Sequence, residues 1–230
     1  MKRLLLLNLV LFFFVLKSFA QFAIGYGIGY GNYKQTDLQG YQKLVLQNSE
    51  LPARIVDSFP AYFNHRVELQ MTGHNGKEWT LFGAFYSTGG RISLVDYSGS
   101  WKNDMHLNAF RLGLNTSIFS RKIQNFGFKL YAEAGISYND LRINDLLIIG
   151  DEQQSSQIGY YAIDVFLQPG LLAEYSFKPF KIGLFAGYEF DTGEDFISYN
   201  EKYHIRYSGS NNVAPKWSGY RTGIKLMYMF

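Results

Sequence analysis

From residue 22 onward the chain alternates between apolar and polar positions. Short segments carry apolar side chains at every second residue, with polar or small residues between them, the period of a β-strand whose two faces meet different surroundings. The pattern is clearest over residues 22–32. Phe22, Ile24, Tyr26, Ile28 and Tyr30 share one face there, while Ala23, Gly25, Gly27, Gly29 and Gly31 share the other. A soluble strand rarely accepts so many alternating glycines, because each weakens the strand and packs nothing. On the inner face of a narrow barrel they leave room for larger side chains from other strands. A phosphate-cradling glycine loop does not fit, since aromatics interleave strictly with the glycines and no helix follows them directly.

The last segment repeats the pattern, with Tyr220, Thr222, Ile224, Leu226, Tyr228 and Phe230 on one face and Arg221, Gly223, Lys225, Met227 and Met229 on the other. Six further strands are expected between these two. Phe59 to Met71 sets Phe63, Val67 and Leu69 against Tyr62, Asn64, Arg66, Glu68 and Gln70. Trp79 to Ser87 is apolar on both faces, so its facing stays open. Leu107 to Phe119 turns Phe110, Leu112, Leu114 and Ile118 outward, and Arg111, Gly113, Asn115 and Ser117 inward. Phe126 to Tyr138 turns Lys129, Tyr131, Glu133 and Ser137 inward. Tyr160 to Phe177 does the same with Asp164, Gln168 and Glu174, and Phe180 to Phe190 with Lys181, Gly183, Gly187 and Glu189. The expectation is an all-β fold: a single antiparallel up-and-down transmembrane barrel of about eight strands.

The connections support this independently. Residues 72–77, 120–125 and 178–179 are short turns, whereas 33–58, 88–106, 139–159 and 191–216 are long. Short periplasmic turns alternating with long outer loops are characteristic of outer-membrane barrels. A lipocalin-like soluble barrel would place apolar residues inside, whereas here the charged face is also the glycine-bearing face. In the first long connection, Thr36-Asp37-Leu38-Gln39 has the form of a capping box, and Leu38, Tyr41, Leu44 and Val45 follow at helical spacing. A short helix is expected within 34–58, either packed over the barrel mouth or offered to a partner. The segment Ser87 to Ile92 reads as a tight bend above the membrane.

Composition and charge sharpen the picture at the N-terminus. Lys2 and Arg3 precede an apolar run from Leu4 to Leu16 broken only by Asn8, and Ser18-Phe19-Ala20 gives a small-x-small cleavage pattern. Residues 1–20 are therefore expected to be a secretory signal cleaved near Ala20-Gln21, with 21–230 as the barrel domain. That run is shorter than the ~20 residues a spanning helix needs. The chain contains no cysteine, so neither a lipoprotein anchor nor a disulfide framework is expected. Setting aside Lys2, Arg3 and Lys17 leaves 19 basic residues against 19 acidic ones. A neutral mature chain argues against nucleic-acid binding, which draws on net positive charge. Aromatics at 18% with 23 glycines suit girdles outside and small residues inside.

The signal ending in Ala20-Gln21, the glycine-alternating first strand and the terminal Tyr228-Met229-Phe230 resemble small outer-membrane β-barrel proteins of the OmpA/OmpX/PorT-like superfamily, in particular those of Bacteroidetes-type bacteria. The resemblance spans the mature chain and implies residence in the bacterial outer membrane, among its lipids. It also implies that Phe230 is an insertion signal read by the barrel-insertion machinery. It implies no shared activity, and no peptidoglycan-binding domain is expected beyond the last strand. A monomer is expected, with no cofactor and an external ligand that the sequence does not name.

Candidate chemistry concentrates on the inward face. Arg66, Arg111, Lys129, Lys181, Arg221 and Lys225 oppose Glu68, Glu133, Glu174 and Glu189, and in a narrow lumen they should pair into a salt-bridged network. Such a network reads as a filled plug, with a narrow channel or small-solute transporter as the alternative. His65, His74, His106 and His204 lie at no metal-ligand spacing. His204 and Ser208, near Glu201 and Asp195, are the one catalytic candidate, for a lipid A-modifying activity, although their spacing alone fixes no geometry. Tyr97, Trp101, Tyr199, Tyr203, Tyr207 and Trp217 would be either an upper girdle or a ligand surface.

Overall fold

The computed structural model describes residues 21–73, 76–200, 203–208 and 211–230. The expected signal segment lies outside these residues, as do His74 and Glu201.

Eight long strands pair in a closed ring, each antiparallel to its neighbours. They are β1 (Gln21–Tyr33), β3 (Tyr62–Thr72), β4 (Glu78–Val95), β5 (Gly99–Ile123), β6 (Phe126–Ile149), β7 (Glu152–Phe177), β8 (Phe180–Asp191) and β12 (Gly219–Met229). The first and last strands close the ring, with Gly29 opposite Gly223 and Ile24 opposite Tyr228. Four shorter strands, β2 (Arg54–Ser58), β9 (Ile197–Ser198), β10 (Arg206–Ser208) and β11 (Asn211–Asn212), and one helix, α1 (Thr36–Asn48), belong to the long connections.

The pleat sorts the faces as the alternation requires. Ile24, Tyr26, Ile28, Val67, Leu112, Leu114, Leu167 and Leu184 are all exposed outside, while their sequence neighbours are buried inside. β4, whose facing the sequence leaves open, turns Thr80, Phe82, Ala84 and Tyr86 into the lumen and Trp79 and Leu81 outward. Gly113 and Gly135 face each other across β5 and β6, and there the lumen rings need space. A Cβ on Gly113 would lie 2.6 Å from Phe82, and one on Gly135 2.9 Å from Phe166. A bulge between Ser117 and Phe119 leaves both Ile118 and Phe119 outside.

Aromatic rings form a nearly continuous chain at the short-turn end. Phe126 and Tyr175 lie 4.8 Å apart between centroids, Phe177 and Phe180 5.8 Å, Phe180 and Tyr228 5.6 Å, and Tyr228 and Phe230 5.0 Å. At the other edge of the apolar belt, Tyr30 meets Phe63 and Tyr188 meets Tyr220. Two aromatic girdles flanking an apolar band are the mark of a barrel standing in lipid.

Three readings of the connections change. The long connections 88–106 and 139–159 consist mostly of continued strand, so β4 to β7 rise beyond the belt as a four-stranded sheet. At ~3.4 Å per residue, a strand as long as β5 runs roughly 85 Å, far more than the 9–11 residues needed to cross a bilayer. The Ser87 to Ile92 segment is not a bend. Its glycines lie inside β4 where neighbours press close: a Cβ on Gly90 would sit 2.8 Å from both Gln42 of α1 and Phe59, and one on Gly89 2.8 Å from the Met105 carbonyl oxygen of β5. Finally, β3 starts at Tyr62 rather than Phe59. Phe59 has φ 51° and is buried, its N–H donating to the Gly89 carbonyl at 2.8 Å, while Tyr62 lies exposed at the rim. Pro60, which lacks an N–H, follows at the point where the chain is redirected.

The helix is held by its surroundings rather than by a capping box. Its N-cap is Gln35, with no side-chain cap bond, and Asp37 instead pairs with Lys216 of the last long connection at 2.8 Å.

Candidate functional site

The charged residues of the inward face meet in two tiers. In the tier nearer the short turns, Arg66 contacts Glu68 at 2.5 Å and Glu133 at 2.8 Å, and Lys225 contacts Glu68 at 3.1 Å. Lys129 pairs with both Glu174 and Glu78, while Lys181 stands 3.6 Å from Glu174 and 3.8 Å from Glu78. Four cations thus face four carboxylates. In the tier above, Arg111 and Arg221 share Glu189, which has no solvent exposure.

Sequence reasoning missed Glu78, which opens β4 one residue before the expected strand. Its even position places it with Thr80 and Phe82, a parity that the all-apolar run from Trp79 concealed. It also missed the aromatic half of the arrangement. The Arg66 guanidinium lies 3.8 Å above the Phe82 ring, Arg111 4.1 Å above Tyr86, and Arg221 4.5 Å above Tyr33. Each arginine is therefore held by a carboxylate and by an aromatic face.

Above the upper tier the lumen is apolar and closed. Leu38 from α1, Phe196, Val213 and Trp217 from the last long connection, and Met105, Leu107 and Leu141 from the raised sheet all have 0% exposure and form one cluster. Polar anchors hold this cap to the wall. The Trp217 indole N–H donates to Asn139 at 2.7 Å, Asn139 donates to Asp164 at 2.6 Å, and the Glu194 N–H donates to Asp164 at 2.6 Å. Asp191 accepts from the Trp217 N–H and, at 2.7 Å, from the Ser218 hydroxyl. Trp217, read as an exposed girdle or ligand aromatic, is instead the centre of the cap, because its indole N–H has an internal acceptor. Tyr199 does join the outer aromatics, with its hydroxyl 2.5 Å from that of Tyr138 and 3.0 Å from Asp140. At the opposite end the lumen opens into a cavity of about 570 Å³ lined by Glu78, Lys129, Glu174 and Lys181, with Arg121 and Lys122 at its rim.

The arrangement suits neutralising and fixing charge. His204 makes a backbone bridge with Ile197, and Asp195 accepts a hydrogen bond from Asn212 at 2.6 Å. Among the described residues no hydrogen bond links His204 to an acid. Phe230 extends from the short-turn end, its N–H donating to the Phe22 carbonyl at 2.9 Å and its ring largely exposed.

Comparison with protein-family models and with curated proteins gives no match. Among solved structures, the chain is similar to Ail, the attachment invasion locus protein of Yersinia pestis, solved with the heparin analogue sucrose octasulfate. The two share 13% identity at a TM-score of 0.38, over 91% of this chain and 97% of that one. It is also similar to the outer membrane protease OmpT of Escherichia coli, at 10% identity and a TM-score of 0.37, over 92% of this chain and 97% of that one. Likeness at this level carries no inference about activity or ligand.

Proposed function

We propose that this chain is an outer-membrane β-barrel acting as a sealed scaffold, with its binding function in the structure raised above the membrane. The observation that carries this reading is the apolar cap. A conducting lumen needs a continuous polar path, whereas Leu38, Phe196, Val213 and Trp217 fill the barrel above the charged tiers and exclude solvent. The paired network of Arg66, Glu68, Arg111, Lys129, Glu133, Glu174, Lys181, Glu189, Arg221 and Lys225 is, in this reading, the polar core of the scaffold. An eight-stranded barrel is only wide enough for side chains to fill.

The belt supports residence in a bilayer, since an apolar surface of this extent is untenable in water. The barrel form and the expected signal over 1–20 support the outer membrane, and in this reading Phe230 is the residue recognised during insertion. Short turns then face the periplasm and the raised sheet faces outward. The OmpA/OmpX/PorT-like assignment belongs to this same reading.

Planar bilayers test it. Purified protein should give no steady unitary conductance, whereas a variant lacking most of residues 193–215 should conduct. Steady channels from the intact chain would replace the scaffold with a transporter.

A further inference from the structure

Between α1 and the inner face of the raised sheet lies a cleft of about 480 Å³. Small-molecule sites range from roughly 300 to 1,000 Å³. Tyr41 and Val45 of α1 form one wall, Trp101 and Asn103 of β5 and Tyr160 of β7 the other, and Asp145 of β6 stands among them. The cleft is distinct from the sealed lumen, being separated from the charged tiers by the buried cluster of Leu38, Met105 and Leu141.

We propose that this cleft binds a small organic cation: a primary ammonium group carried on a short aliphatic stem.

Three observations converge on that chemistry. First, among the described residues no ion pair reaches Asp145, so a half-buried carboxylate stands in an aromatic cleft without a counter-ion. Second, the Asn103 amide donates to one Asp145 oxygen, Oδ1, at 2.7 Å, which fixes the carboxylate at the cleft and leaves Oδ2 without a hydrogen bond among the described residues. A hydrogen bond to a charged group is worth about 1.5–3 kcal/mol, so a cationic donor to Oδ2 gains both by charge and by hydrogen bond. An ammonium group offers three donors and no acceptor. Third, the rings of Tyr41 and Trp101 supply electron-rich faces that attract a cation. Burial, and then the neighbouring Asp145, hold the Tyr41 phenol above its usual range, which places the two side chains in one electrostatic neighbourhood. An anion would meet the Asp145 carboxylate. A metal ion lacks ligands, because no group of three histidines, cysteines or acids comes together among the described residues.

The proposal rests on the raised end being open to water, and its test is separate from that of the sealed scaffold. Protein in lipid nanodiscs would be titrated with n-butylammonium, butan-1-ol and butyrate, with binding read by calorimetry. Butylammonium should bind about tenfold or more tighter than butanol, and butyrate should not bind. Asp145→Asn should weaken butylammonium about tenfold and leave butanol unchanged, and Val45→Trp, which fills the cleft, should remove binding of both. Heat-modifiable migration on gels establishes that each variant is folded. Equal affinity for amine and alcohol, an unaltered Asp145→Asn profile, or folded wild-type protein that binds no amine would each overturn the proposal. Steady conductance alongside intact amine binding would overturn the sealed scaffold and leave the cleft standing.

Discussion

Glu189 is the carboxylate that joins the two arginines of the upper tier. It has 0% exposure and lies between Arg111 and Arg221, whose guanidinium groups also rest on Tyr86 and Tyr33. Two buried cations sharing one carboxylate have little slack. Removing one partner of a buried pair commonly costs about 3–5 kcal/mol, because the remaining charge has no water to turn to. Glu189→Gln is therefore expected to destabilise the barrel by roughly that amount, read as a lower urea midpoint in micelles. Glu152→Gln, on an exposed residue at the hairpin tip, should leave the midpoint unchanged. The sequence identified Glu189 as inward and charged by parity alone. It did not identify the pairing, since Arg111 is 78 residues away in the chain.

At the scale of elements, the glycines divide by what stands opposite them. A Cβ on Gly135 would lie 2.2 Å from the Leu112 carbonyl oxygen and 2.7 Å from the Gly113 backbone, neither of which can move without shifting a strand. Gly83 is the contrast, since its nearest neighbour would be 3.9 Å away. Gly135→Ala should lower folded yield and thermal stability, and Gly83→Ala should be neutral, both read by the temperature at which gel migration shifts. A finding that the two behave alike would remove close strand approach as the reason for the glycine. The same scale explains the misread bend in β4. Ser87-Thr88-Gly89-Gly90 has turn-forming composition, but Gly90 serves the approach of α1 and Phe59 and Gly89 that of the Met105 carbonyl, which no local pattern records. Likewise the capping-box motif at Thr36 goes unused, because the helix starts one residue earlier, with Gln35 at its N-cap, and the Gln39 amide donates to the Ser58 carbonyl at 3.2 Å instead.

For the whole molecule, the barrel is a cup, open toward the short turns and closed above by α1 and the last long connection. Closure of the ring depends on β1 meeting β12 over its full length, from Ala23 opposite Met229 to Tyr33 opposite Gly219. Phe230 adds the last backbone bond of this seam and the end of the lower aromatic chain. Deleting Phe230 should reduce the heat-modifiable, outer-membrane fraction several-fold while leaving any assembled barrel with normal stability. Normal assembly without it would remove Phe230 as an insertion signal.

The sequence by itself determined the eight strands of the ring and, outside β4, most of their faces. A side chain's face in a pleated strand depends only on odd or even position, so the inward set is legible one residue at a time. It left β4 unresolved for the same reason: where both faces are apolar, as from Trp79 to Phe85, parity carries no contrast. Only the tertiary structure decided which charges pair, that Trp217 caps the lumen, and that two of the long connections stand up as sheet. Those outcomes depend on contacts between residues tens of positions apart, where the gain from burial and pairing outweighs local preference.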